Sequence, residues 1–183
     1  FPGDEYLVAD GSYWTFNNDQ HIISWALSDN GYYDWPDLDA IQDIIGNALE
    51  EFSKIAGITF QYFGAFDTVS AATNDGADFV YTVDGFYDGT IAEAFFPFFT
   101  PDRTIDYSES IVDSYYSTAQ FDEFLTYVTI HETGHTLGLK HPHNPGYSNP
   151  YTVGSSDTWY SDGYSTFYTA MSYYNETGVL GDN

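Results

Sequence analysis

Three of the chain's five histidines fall within eleven consecutive residues, His131-Glu132-Thr133-Gly134-His135-Thr136-Leu137-Gly138-Leu139-Lys140-His141. On an α-helix His131 and His135 stand one turn apart on one face, so both imidazoles reach a single cation. Glycine at 138 takes a positive φ without steric cost, ending the helix and reversing the chain so that His141 returns to the same cation. The stretch therefore demands a helix, a left-handed stop and a return, a stronger constraint on the fold than any other segment supplies. Three nitrogen ligands leave a fourth coordination position for water, the arrangement of a catalytic zinc. Glu132 follows a ligand directly, about 100° round the helix from it. There a carboxylate can take the proton of a water whose pKa the metal has lowered. A structural site closes its fourth position with a protein ligand, usually sulfur, and the chain has no cysteine.

The rest of the chain limits its partners and class. Acidic residues number 28 and basic residues 3, a formal charge of −25. That surface repels phosphate backbones and anionic membrane faces, so neither nucleic acid nor membrane is expected as a partner. A hydrophobic fraction of 43% separates the chain from acidic disordered tails and gives it a core. Its 183 residues form a single expected domain, 1–183. No apolar run spans a bilayer and no leader is visible, so the chain reads as a mature piece, with more polypeptide expected after Asn183. The acid surplus suits a salty or calcium-rich exterior. Turns at 74–78 and 84–88 offer oxygen atoms to calcium, a possible second cation, although neither has an EF-hand spacing and solvated acidic turns are the commoner explanation.

Leu38, Ile41, Ile44, Ile45, Leu49, Phe52 and Ile55 recur at three- and four-residue steps, predicting an amphipathic helix that starts at Pro36 and Asp37 and stops at Gly57. Residues 58–63 then alternate like a strand, and 21–27, 77–83 and 91–96 are further strands bounded by turn residues. A second helix is expected from a capping box at Ser117, Thr118, Ala119 and Gln120, ending at Gly138. Residues 142–168 are a long loop, and no terminal element is expected after it. The expectation is an α+β fold, a mixed twisted sheet of about four to five strands with two long helices.

The eleven residues match the extended zinc-binding signature of the metzincin endopeptidases. Thr169-Ala170-Met171-Ser172-Tyr173 resembles their Met-turn, and Met171 is the chain's only methionine. Gly138-Leu139-Lys140-His141-Pro142 and Ala170-Met171-Ser172-Tyr173 most resemble the secreted serralysins. Astacins carry Glu after the third histidine and use disulfides, and matrixins typically lack the tyrosine. The resemblance implies a metzincin-like zincin whose active-site helix carries the signature, with Met171 as an apolar floor. It also implies that Tyr173 is a hinged zinc ligand that swings to the oxyanion, a donor acting on charge that develops in the transition state. The serralysins' C-terminal calcium-binding repeats are absent from these residues.

The activity so implied is that of a secreted, extracellular zinc endopeptidase, with His131, His135, His141 and Tyr173 at the metal and Glu132 and Tyr173 in catalysis. Protein or peptide substrates would bind extended along Ala92, Glu93, Ala94 and Phe95, an edge strand that Pro97 terminates. Residues 142–168, with Trp159, Tyr160, Tyr164 and Phe167, would wall the pocket beyond the scissile bond. A monomer is expected, with a protein inhibitor or pro-segment as a further partner. The alternative is an inactive acidic metal-binding or adhesion module on the same fold. Glu132 weighs against it, because a structural site gains nothing from a base beside the metal.

Overall fold

A computed structural model describes residues 21–29, 32–86, 89–95, 104–108, 112–113, 116, 118–139, 174–175 and 178–179 of the chain. Strand β1 (Ile22–Ser28) leads into helix α1 (Leu38–Ala56) and back through β2 (Thr59–Phe66). Helix α2 (Val69–Asp75) then precedes β3 (Phe79–Asp84), β4 (Ala92–Ala94) and β5 (Thr104–Ser108). Helix α3 (Phe121–Thr136) follows, and β6 (Tyr174–Asn175) pairs with β7 (Gly178–Val179) in a small antiparallel ladder. The fold is α+β, a five-stranded mixed sheet with three helices among the described residues.

The strand order is β2-β1-β3-β5-β4. All pairs are parallel except β4 with β5, which is antiparallel. Period-two alternation divides the sheet's faces. On one, Ile23, Trp25, Leu27, Phe79, Tyr81, Ile105 and Tyr107 form the main core with the buried stripe Ile41, Ile45 and Leu49 of α1 and Phe121, Leu125 and Val128 of α3. On the other, Ala26 and Val80 meet Ala72 of α2 in a smaller cluster. β1 and β2 slip register by one residue between Trp25 and Ala26, so that Phe63 is the extra residue of a bulge beside Gly64 at φ 143°.

Helix α1 is built as expected. The Asp37 carboxylate accepts from the Ala40 N–H at 3.1 Å, and Gly57 closes the helix at φ 65°. Ile55 departs from expectation: at 87% exposure it lies outside the core, since the last turn runs past the packed stripe. Strands expected at 21–27, 58–63, 77–83 and 91–96 are present with shifted ends, the last shortened to Ala92–Ala94. Strand β5, helix α2 and the β6–β7 ladder were not expected. The acidic turn at 74–78 has a structural use, because the Asp78 carboxylate accepts from both the N–H and the hydroxyl of Ser24 at 2.9 Å. At the other turn the Asp84 carboxylate accepts from the Gly85 N–H.

Candidate metal centre and cleft

Helix α3 begins at Phe121, later than the expected capping box allows. Gln120 holds the N-cap position without a side-chain bond, and the Phe121 N–H bonds the Thr118 carbonyl instead. Tertiary contacts fix the helix. The hydroxyls of Thr129 and Thr133, one turn apart, lie 2.9 Å from the phenol oxygens of Tyr107 and Tyr81. Both tyrosines are fully buried, and burial pushes both phenols up, so they stay protonated. These two bonds set the rotation of α3. His131, two residues past Thr129 and about 200° round the helix, is thereby turned away from Tyr107 and Tyr81.

The imidazoles of His131 and His135 stack edge to face, their centroids 4.9 Å apart. They are only 3% and 7% exposed, and Tyr127 packs against His131 at 6.2 Å. Beyond Thr136 the helix ends as expected at Gly138, whose φ is 100°. The Gly138 N–H bonds the His135 carbonyl and the Leu139 N–H bonds the Gly134 carbonyl, a Schellman closure. That closure brings the Leu139 carbonyl to 2.8 Å from His135 Nδ1. A carbonyl only accepts, so Nδ1 carries the hydrogen and Nε2 is the lone-pair nitrogen. Burial lowers the His135 pKa and favours this neutral ring.

Glu132, 6% exposed, has its carboxyl pushed up to about 8, first by burial and then by the negative charge of Glu93. It lines a cleft of about 280 Å3 together with Tyr127, Val128, His131 and, from the opposite wall, Gly89, Thr90, Ile91 and Ala92. The opposite wall leads into β4, the last strand of the sheet. Glu93 pairs with Asp106 in the β4–β5 register and Phe95 follows the strand, 37% exposed. Asp106 is pushed up to about 7 by burial, then by Asp84 and Glu93.

The structure thus brings His131, Glu132 and His135 together on one turn of the helix and sets Ala92 across the cleft from His131 and Glu132. His141, Met171, Tyr173 and the loop at 142–168 lie outside the described residues. Among the described residues no three metal-binding side chains converge. The donor chemistry fits zinc: one imidazole has its tautomer fixed by an outer carbonyl, as metal-binding histidines do. The Thr129–Tyr107 and Thr133–Tyr81 pairs were missed from the sequence. Their signal was two threonines four apart on a helix whose neighbouring strands carry buried tyrosines.

A family model described as Matrixin matches residues 14–153. The chain belongs to the matrixin family. It is 35% identical over 107 residues to the macrophage metalloelastase of Rattus norvegicus, a match covering 56% of this chain and 22% of that protein. The chain thus spans about a fifth of the length of the curated relative it matches. Both matches support a metzincin metalloprotease, as the signature implies.

Proposed function

We propose that the chain is a secreted, extracellular zinc-dependent endopeptidase that hydrolyses peptide bonds in extended protein or peptide segments. The observation carrying this reading is the buried turn His131-Glu132-Thr133-Gly134-His135 opening into a cleft whose far wall leads to an edge strand. His131, His135 and, from the signature, His141 would hold the metal, with Tyr173 as a fourth, hinged ligand. Zinc bound there supplies Lewis acidity towards water and towards the carbonyl oxygen of the scissile bond. Glu132 accepts the proton of the attacking water and returns it to the leaving amine. Its desolvated position suits a group that must both take and give a proton near neutral pH. Tyr173 donates to the oxyanion, and Met171 floors the site. Substrate backbone pairs with Ala92, Glu93, Ala94 and Phe95, whose outer side no described strand occupies.

In this reading the enzyme acts as a monomer, and a pro-segment or protein inhibitor would occupy the same cleft. Among the described residues no helix is long and apolar enough to cross a membrane. The serralysin likeness is carried by residues 138–142 and 170–173 within the metzincin group. Glu132→Gln should keep its zinc by metal analysis and lose about a hundred- to ten-thousandfold in peptide cleavage. Tyr173→Phe should lose less. Casein digestion should stop with a zinc chelator and return with zinc, and the same metal analysis counts any calcium, for which the acidic turns supply oxygen atoms. Full activity in Glu132→Gln would refute the mechanism. Zinc retention by a wild-type chain that cleaves nothing would favour the inactive metal-binding module.

A further inference from the structure

A second concavity, of about 290 Å3, opens between α1 and β2, and none of its lining residues lines the catalytic cleft. One wall is aromatic. Phe60 and Tyr62 project from β2, and Trp25 closes the floor with its ring centroid 4.7 Å from that of Tyr62. The other wall is a polar stripe of α1 in which Asp43, Gly46, Asn47 and Glu50 follow one another at three-, one- and three-residue steps. This stripe runs beside the apolar one that packs the core.

Three observations suggest that the groove receives a cation. Gly46 lies in the middle of a nineteen-residue helix, where glycine is less stable than alanine. Packing does not require it, since an added Cβ would meet only the Trp25 Cζ2 at 3.8 Å, an ordinary contact. Its effect is to keep the groove deep. The lining, moreover, holds two carboxylates, Asp43 and Glu50, and no basic side chain. Lys54, on the same helix, pairs with Glu51 at 2.6 Å. Finally, the rings of Trp25, Phe60 and Tyr62 line the same groove as those carboxylates, a combination that favours a planar cation over a compact one.

We propose that this groove binds the guanidinium group of an arginine side chain, stacked on the Phe60 and Tyr62 wall and bridged to Asp43 and Glu50. The amide oxygens of Gln42 and Asn47 are acceptors for its remaining N–H groups. This site is independent of the proteolytic reading, since it shares no residue with the cleft.

The test is a calorimetric and NMR titration of the intact chain with N-acetyl-arginine amide. N-acetyl-citrulline amide serves as the uncharged analogue and a methyl glucoside as a neutral stacking ligand. The arginine probe should bind saturably, and the citrulline probe about tenfold more weakly. Glu50→Gln and Asp43→Asn, both at exposed positions, should each weaken the arginine probe by roughly three- to tenfold. Gly46→Leu should fill the groove and abolish binding while leaving peptide cleavage unchanged, whereas Gly46→Ala should raise the melting temperature. Equal affinity for the two amides, binding of the glucoside alone, or no saturable binding would overturn the proposal. If Gly46→Leu does not fold, the two carboxylate variants decide, and unchanged affinity in both would overturn it equally.

Discussion

Helices α1 and α3 pack on the same face of one sheet, yet they are held in different ways. Helix α1 buries a single apolar stripe of Ile41, Ile45, Ala48 and Leu49, has a carboxylate cap and ends in a left-handed glycine. Helix α3 has no side-chain cap, and its second half is buried almost all round, including the polar side chains of Thr129, His131, Glu132, Thr133, His135 and Thr136. The first helix is stabilised by what the sequence pattern alone specifies. The second must satisfy buried polar groups one by one, through Tyr81, Tyr107 and the Leu139 carbonyl. A helix of the first kind builds the domain. A helix of the second kind holds a desolvated carboxyl and two buried imidazoles, which water would otherwise solvate and blunt.

The largest effect that separates the two halves lies on the apolar side. Ile45 is fully buried between α1 and the sheet, so Ile45→Ala should cost about 2 to 5 kcal/mol by chemical denaturation. The zinc affinity of the surviving folded fraction should be unchanged. A change in zinc affinity as large as the stability change would show that the two helices do not act as separate parts.

Asp106 tests the polar side. Its folded pKa lies near 7, above the ordinary carboxylate value of 3.8. Between those values the folded chain keeps a proton that the unfolded chain has released, so stability is full below the lower value and falls as pH rises towards the upper one. Asp106→Asn should remove that fall and stabilise the protein at pH 8 by roughly 2 kcal/mol after solvent screening, with little change near pH 4. A melting temperature with the same pH profile in both proteins would contradict this.

The two helices were legible to different degrees for the same physical reason. The period, cap and stop of α1 are local, so Asp37, Ile41, Ile45 and Gly57 could be read directly. In α3 the histidine spacing and Gly138 were equally local and were found. The start of the helix was not, because no side chain caps it at Gln120 and the burial of Phe121 in the core places its first turn. Strand β5 escaped notice since Thr104-Ile105-Asp106-Tyr107-Ser108 is short and carries an acid at a half-buried position. Its place depends on pairing with β3 and β4, which no local pattern encodes.

The buried hydroxyl pair sharpens the comparison at a smaller scale. Tyr81→Phe removes one partner and leaves the Thr133 hydroxyl buried, at a cost of about 1 to 3 kcal/mol. Adding Thr133→Val should recover part of that loss, since neither side then keeps an unmet polar group. If the double variant loses the sum of two single costs, the hydroxyls do not act as a pair.

The smallest effect concerns the two N-termini. Asp37 has extended backbone angles, φ −155° and ψ 99°, and its carboxylate meets the Ala40 N–H, so Asp37→Ala removes a working cap. The expected loss is about 1 kcal/mol. Gln120 stands at the equivalent place in α3 with φ −98° and ψ 3° and no side-chain bond. Its replacement by alanine should move the denaturation midpoint hardly at all. The contrast follows from how each helix is anchored, since α1 depends on its own first turn, whereas α3 is fixed further along by Thr129 and Thr133 against the sheet. Equal losses at the two positions would mean that α3 also relies on its first turn, and that the threonine–tyrosine contacts do not set its position.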